Sequence, residues 1–540
     1  MARNRPQQQA TQALTMPAPM GGINNAAPLS QMPITDTIMT ENMRATAYGL
    51  SVRKGYKQWC ETIPEGNGVK TIIPGNSSGR LNVGDKLFAT TNDGIYDVTV
   101  FGGPPVKVVD FPDKDDDAGW CSWHNFTNIG GLQYILICDL INGYYFYDFQ
   151  LDTFSKVEGG TGPGKINGVD PDEFCYVTVW KNRVWFVQRN STRGWYLETV
   201  GIFTGKAIAF DFGSKFRYGG FLKTLNNWTL DAGVGVDDHL VAVSSEGDVL
   251  VYTGTDPTTA GSFGLKGNWF IGETPRGRRG ASDYGGDLLL ASQFGVVPLS
   301  ALVSGLQDED KLYFTAKINS LYRIAYEERR DLFGLEVKSL PAEGLMMVVW
   351  PKVESKEDVQ LAYDPITQSW TIFSGIPMLT VEHYRGTTYF GSHDNDVFTL
   401  ADGPDHVMLD PETDGEAREI AFSLTTAFTD FQMPGQFKRA QFIRPVFIAD
   451  NVPLYGIEAR FDYDISEVTP PPSGPPAAVS IWDLATWDLN RWQSGYQIDQ
   501  PVYGGFGMGR TVAIGLQGST NSGNVVLASF DLMVDVGGLL

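Results

Sequence analysis

A short phrase recurs along this chain at near-constant spacing, and it constrains the fold more than any other feature. A turn of Asn, Asp or Glu with Gly runs straight into an aromatic or β-branched strand. It reads Asn92-Asp93-Gly94-Ile95-Tyr96, then Asn142-Gly143-Tyr144-Tyr145-Phe146, then Glu246-Gly247-Asp248-Val249-Leu250, and more loosely Phe294-Gly295-Val296-Val297. The glycines of the first two lie 49 residues apart and those of the last two 48. Asn-Gly and Asp-Gly accept positive φ at low cost, as a tight hairpin requires if its strands are to keep their twist. A hairpin phrase returning about every 40–50 residues is the period of propeller blades, in which each small sheet buries its faces only against its neighbours. The expectation is an all-β fold built on a β-propeller of six to eight blades.

Composition bears this out. A chain of 540 residues exceeds one ordinary core. With 42% hydrophobic and 19% charged residues it has ample surface to bury, and 61 Gly, 30 Pro and 12% aromatics suit many strands and turns. No apolar run approaches the roughly 20 residues needed to cross a bilayer, so no integral membrane segment is expected. Arg3 and Arg5 lead into Pro6 and a Gln run rather than into the apolar stretch of a secretory signal. Cys60, Cys121, Cys138 and Cys175 show neither CxxC pairing nor metal spacing, and read as buried reduced thiols of a protein folded in a reducing cytoplasm. The net charge of −22 argues against a grip on nucleic-acid phosphates. It suits either a solvated acidic surface or a wall past which DNA slides without adhering.

Four regions follow. Residues 1–56 read as a flexible N-terminal arm, to about Met20, and an irregular lead-in. The propeller is expected over 57–403. Near 308–332 the period changes: Ile318, Leu321, Tyr322 and Ala325 fall at the i, i+3, i+4, i+7 spacing of a helical face, with Asp308 placed to cap it. Residues 404–540 read as a C-terminal β-rich, sandwich-like domain, interrupted by a Pro-rich loop at 469–478 that cannot pair in a sheet. Trp482, Trp487 and Trp492 recur at intervals fitting neither strand nor helix. They read as a loop cluster, either a satellite core or a sugar-stacking or receptor site.

Sequences that carry catalysis are missing. Gly159 to Lys165 has the spacing of a phosphate-binding loop, but Ile166 stands where Ser or Thr would ligate magnesium and Pro163 removes a backbone donor. The histidines (His124, His239, His383, His393 and His406) are scattered. Asp113, Asp115, Asp116 and Asp117 lack the glycine turn and closing Glu of a calcium loop. Ser392-His393-Asp394-Asn395-Asp396 resembles the Asp-box turn of sialidase propellers, with Asp396 where that turn needs Gly. No catalytic, cofactor-binding or metal site is expected, and the chain is read as a non-enzyme.

The lead-in Pro19-Met20-Gly21-Gly22-Ile23-Asn24, followed by Met39, Asn42 and Ser51-Val52-Arg53-Lys54-Gly55-Tyr56, resembles the start of nozzle proteins of short-tailed bacteriophages, also called tail tubular protein B or tail hub proteins. The family's Leu-Phe-Ala…Gly-Ile-Tyr-Asp phrase stands here as Leu87-Phe88-Ala89 and Gly94-Ile95-Tyr96-Asp97. The Trp-Asp repeat and Gly507-Met508-Gly509-Arg510-Thr511-Val512-Ala513-Ile514 are similar to the family's ending. One step departs: Asn42-Met43-Arg44-Ala45 stands where the family has an Asn-Trp-(Phe)-Pro step. The resemblance implies a structural virion protein of the tail, assembled in the host cytoplasm as a homohexameric ring below the portal and adaptor. Genomic DNA would pass through its channel without sequence-specific binding. Partners would be the chain itself, the tail adaptor and tail fibres or spikes. Gly21, Gly22, Ile23 and Asn24 would be an adaptor contact, and Trp482, Trp487 and Trp492 tip or receptor aromatics.

Two other readings stay open. One is a phage carbohydrate- or receptor-binding (or degrading) propeller that uses the three tryptophans; the other is a cellular propeller serving as an interaction scaffold.

Overall fold

A computed structural model describes residues 10–77, 84–128, 130–198, 201–231, 236–259, 261–305, 312–410, 417–450, 453–466, 468, 497–499, 501–521 and 524–539. The chain folds as two units. A propeller unit comprises Gln58–Val359 and Pro377–Thr399, and a sandwich unit comprises Met1–Lys57, Gln360–Ile376 and Leu400–Leu540.

The propeller unit is a succession of small antiparallel sheets. The first holds Thr71–Gly75, Lys86–Thr90, Gly94–Asp97 and Val106–Asp110; the second Cys121–Thr127, Gln133–Asp139, Gly143–Asp148 and Thr153–Lys156. The third holds Phe174–Trp180, Arg183–Gln188, Arg193–Tyr196 and Ile208–Asp211; the fourth Leu222–Asp231, Val236–Ser244, Asp248–Gly254 and Phe263–Phe270. A fifth of three strands (Ala281–Tyr284, Asp287–Ser292, Gly295–Pro298) is followed by the hairpin Glu336–Leu340 and Leu345–Val349. The last sheet runs through Met378–Tyr384 and Thr387–Ser392 to the strand that begins at Val397. Successive first strands lie side by side, except that Leu222–Asp231 meets the fifth sheet chiefly at Asp287–Ser292, and Met378–Tyr384 returns to Thr71–Gly75, so the ring is closed. This is the propeller expected, six sheets and a hairpin falling within the six to eight blades.

The packing follows from side-chain alternation. Strands buried on both faces read as unbroken apolar runs, and successive residues serve opposite neighbours. Ile135 and Ile137 pack on Ile73 and Phe88 of the first sheet, while Leu136 and Cys138 pack on Phe174 and Phe186 of the third. Val241 and Val243 meet Leu288 and Leu290, whereas Leu240 and Ala242 meet Trp185 and Val187. Closure repeats this rule, with Ile72 and Ala89 against Tyr384 and Tyr389.

The recurring phrase marks the hairpin after the second strand in four of these sheets. Its glycines are required at more than one position. Gly247 has φ 93° and a Cβ there would lie 1.9 Å from the Gly272 carbonyl; Gly143 has φ 81° and a Cβ would lie 2.5 Å from Asp172 Cα. Gly94 keeps ordinary φ, and close approach of the Val109 carbonyl excludes a side chain. A second repeat accompanies the first. At the end of the second strand in five of the six sheets a fully buried Thr, Asp or Ser accepts the turn's N–H groups: Thr91 from Asp93, Asp139 from Ile141 and Asn142, Ser244 from Asp248, Ser292 from Phe294, and Ser392 from Asp394 and Asp396. Lys181-Asn182 and Arg385-Gly386 are two-residue hairpins with positive φ at both positions, which the phrase did not mark.

The helix expected near 308–332 is shorter. It spans Asn319–Arg329 behind a single 3-10 turn at Ala316–Ile318, and Asp308 lies outside the described residues. Its buried stripe is Ile318, Tyr322, Tyr326 and Arg329, while Leu321 and Ala325 are half-buried.

The sandwich unit draws on three stretches of chain rather than on 404–540 alone. One sheet carries Met43–Thr46, Gly49–Val52, Val525–Leu539, Gln436–Ala449 and Gln497–Asp499; the other carries Ser369–Ser374, Thr37–Glu41, Ile420–Thr426, Val512–Thr520 and Leu454–Phe461. Between them Met43, Leu50, Phe447, Leu527 and Phe530 pack on Phe422, Leu424, Ile514 and Leu516. The expected flexible arm is corrected here. Ala10–Pro17 is a strand paired antiparallel with the segment from Ser529 to Val536, and it buries Met16 in the sandwich core. The Pro-rich loop at 469–478 lies outside the described residues.

Candidate functional site

The lead-in residues form a buried polar brace. The Asn24 side chain donates to Asp36 at 2.7 Å, and the Ile23 amide donates to the Trp370 carbonyl at 2.9 Å. Arg53, 2% exposed, donates to both Asp405 oxygens (2.7 and 2.6 Å), to the Asn42 side-chain oxygen (2.7 Å) and to the Ser374 carbonyl (2.8 Å). Asn42 holds φ 55° and completes the brace through Ser374 Oγ and the Ala421 carbonyl. The adaptor contact expected at Gly21, Gly22, Ile23 and Asn24 falls on this brace, where Gly21 is half-buried. Gly22, Ile23 and Asn24 are buried within the unit, and their side of the chain is spent on internal packing. Trp482, Trp487 and Trp492 lie outside the described residues.

Residues from the inner strands of the propeller unit surround a cavity of about 410 Å³. Its wall includes Arg278, Arg279 and Lys338 together with Asp283, Glu336 and Glu382. Arg279 is the hub. Its guanidinium donates to the Lys70 carbonyl (2.6 Å), Thr380 Oγ1 (3.1 Å), Thr71 Oγ1 and the Cys121 carbonyl (3.3 Å), and it lies 3.6 Å from Glu336. It also covers the Trp120 ring at 5.1 Å, and that ring stacks on Phe333 at 6.2 Å. A planar fork with five donors satisfies several strands at once, which lysine could not do.

Lys338 pairs with Glu382 at 2.5 Å and lies over the Trp123 ring at 5.9 Å. Burial opposes the Lys338 charge, but Glu382 and Glu336 more than offset it and raise the ammonium above its ordinary value. Burial pushes the Glu382 carboxyl up while Lys338 opposes; at this distance we read the pair as ionised. Burial also pushes Asp283 up and pulls the His124 imidazole down.

The other candidates serve the fold. All four cysteines are buried free thiols, and burial raises each of them. Lys165 of the loop with phosphate-loop spacing pairs with Glu158 at 2.8 Å. Asp113 and Asp115 cap their own turn, Asp116 accepts from Asn67, and Asp117 faces Arg276 at 3.5 Å. Among the described residues no three His, Cys, Asp or Glu side chains gather as metal ligands. The Asp-box-like turn staples the ring. Asn395 bonds the backbone of Gly66 and Gly68, Gln58 and Thr62 donate to Asp396, and the Trp59 amide donates to the Val397 carbonyl. His393 faces Asp358 at 3.3 Å, His239 packs on Trp228 and His406 on Tyr56. The cavity residues were not foreseen. The one local signal was the basic run Arg276-Gly277-Arg278-Arg279 in an acidic chain.

No protein-family model and no curated protein matches the chain. Among solved structures it is similar to an extracellular domain assigned to a hybrid two-component system of B. thetaiotaomicron, with 12% identity, TM-score 0.39 and 76% of this chain covered. The chain spans about half of that protein, 52%. It is also similar to the computationally designed Ika8 protein (10% identity, TM-score 0.33, covering 65% of this chain and 97% of the other). A third is YCF48 from Cyanidioschyzon merolae (11% identity, TM-score 0.36, covering 64% and 98%). Among the described residues no helix is long and apolar enough to cross a membrane.

Proposed function

We propose that this chain is a structural, non-catalytic component of a phage tail, a nozzle subunit whose homohexameric ring extends the DNA-ejection channel below the portal and adaptor. The observation that carries the reading is the ordered series of lead-in, first-sheet and C-terminal phrases resembling the nozzle family. Its support is where those phrases fall. Asn24, Asn42 and Arg53 hold the brace of the sandwich unit, and Leu87 to Ala89 with Gly94 to Asp97 form the first sheet's central hairpin. A likeness at the level of the fold falls on residues with such duties. In this role the propeller is a rigid spacer in the wall, and its closed ring of sheets leaves few exposed edges. The virion tail would be its location, after assembly in the host cytoplasm, with the adaptor ring and fibres or spikes as neighbours.

The test is the native mass of the purified protein, alone and mixed with the cognate adaptor, with negative-stain images of each. A hexameric ring with a central hole, formed alone or on the adaptor, is expected. A monomer that ignores the adaptor overturns the proposal.

A further inference from the structure

The proposed nozzle role makes no use of the cavity of the propeller unit, yet the cavity is built like a recognition site. Its volume of about 410 Å³ falls within the roughly 300–1,000 Å³ of small-molecule pockets. Two of its side-chain pairs, Arg279 with Glu336 and Lys338 with Glu382, hold one another, and Arg279 is further fixed by three backbone or hydroxyl acceptors from separate stretches of chain. These groups form a wall that needs no rearrangement on binding. Other polar groups on the wall are uncommitted. The Asp283 carboxylate, the His124 ring, the Asn227 amide and the Trp123 indole N–H have no hydrogen-bonding partner among the described residues.

Charge narrows the ligand. The wall carries three cations (Arg278, Arg279, Lys338) and three carboxylates (Asp283, Glu336, Glu382). A ligand with net charge would have to leave water for a wall that is already balanced, at a desolvation cost with no surplus counter-charge to offset it. An uncharged ligand rich in hydroxyls loses less hydration, and hydrogen bonds to the wall can replace what it loses. It can donate to the carboxylate, exchange hydrogen bonds with the amide and imidazole, and lay its C–H face on the indole.

We propose that this cavity binds a neutral polyhydroxylated molecule of monosaccharide size, held by Asp283, His124, Asn227 and Trp123. The four come from three inner strands, Cys121–Thr127, Leu222–Asp231 and Ala281–Tyr284, so the site exists only in the closed ring.

Titration of the full-length protein with D-glucose, D-galactose and myo-inositol, followed by tryptophan fluorescence and calorimetry, tests this. Spermidine and citrate serve as charged comparisons. At least one neutral probe should saturate at or below millimolar concentration, with Asp283→Asn and Asn227→Ala each weakening it about tenfold or more. Both variants alter groups with no hydrogen bond to the protein, so their folds should match the wild type by circular dichroism. No saturation up to about 50 mM, binding of a charged probe alone, or binding untouched by both variants overturns the proposal. None of these outcomes bears on ring formation.

Discussion

Arg53 shows how much one side chain can hold. It is buried with Asp405, and its five donors reach a carboxylate, an amide and backbone carbonyls contributed by distant stretches of chain. Removing it leaves Asp405 buried without its partner, which costs about 3–5 kcal/mol. Arg53→Ala is expected to lower the unfolding midpoint of the sandwich unit accordingly in urea, while Arg53→Lys recovers only part, because a point charge cannot span both oxygens. Lys223 is a different case. It is 5% exposed, and its ammonium donates to the Thr274 and Pro275 carbonyls. Burial, with Arg278 nearby, lowers it from 10.5 to about 7. Between those values the unfolded chain holds a proton that the folded chain has released, so stability rises with pH across the window. The charged lysine is a full liability below about 7. The slope from one such proton is at most about 1.4 kcal/mol per pH unit. Lys70, lowered to about 8 by burial, acts with the same sign. The expected outcome is that the stability of Lys223→Met relative to wild type falls as pH rises from about 7 to 10; a constant difference would refute it.

At the scale of elements the hairpins carry the argument. Asp139 is fully buried and accepts from the amides of Gly119, Ile141 and Asn142 and from the Asn142 side chain. Asp139→Ala leaves those donors buried and unmet, at about 1–3 kcal/mol for each that finds no water. Amide exchange should accelerate in the second sheet before the rest of the propeller. Uniform acceleration would mean that the sheets open as one. The glycine phrase made these hairpins legible, because local turn chemistry is written in adjacent residues. The acceptors Thr91, Asp139, Ser244, Ser292 and Ser392 differ in type and offset, and only the structure aligns them. The strand Ala10–Pro17 reads as an arm in sequence because its partner lies some five hundred residues away and its exposed positions Thr11, Gln12 and Thr15 are polar. The helix was legible by period but shifted in extent, since its buried stripe ends on Arg329, a residue that no hydrophobic pattern selects. The cavity was illegible for a related reason: Trp123, Asn227, Asp283, Lys338 and Glu382 come from separate sheets and share no spacing.

For the whole molecule, charge governs association. Each copy carries −22, so copies brought together repel one another through water. Salt at about 0.5 M shortens the screening length to a few ångströms. Assembly of the proposed ring is expected to rise with ionic strength, read as the ring fraction by native mass at low and high salt. A ring that forms equally well at both would place its acidic groups away from the subunit contacts.

The pairing of Ala10–Pro17 with the segment from Ser529 to Val536 also sets a schedule for synthesis. The ribosome delivers the strand Ala10–Pro17 some five hundred residues before its neighbour. At about 5–20 residues per second the early strand waits on the order of a minute for its partner. The propeller's sheets through Val349 emerge within that interval, each hairpin complete soon after it appears. A nascent chain stalled before residue 525 would thus carry a largely built propeller and an orphaned leading strand, the state in which a chaperone would meet it.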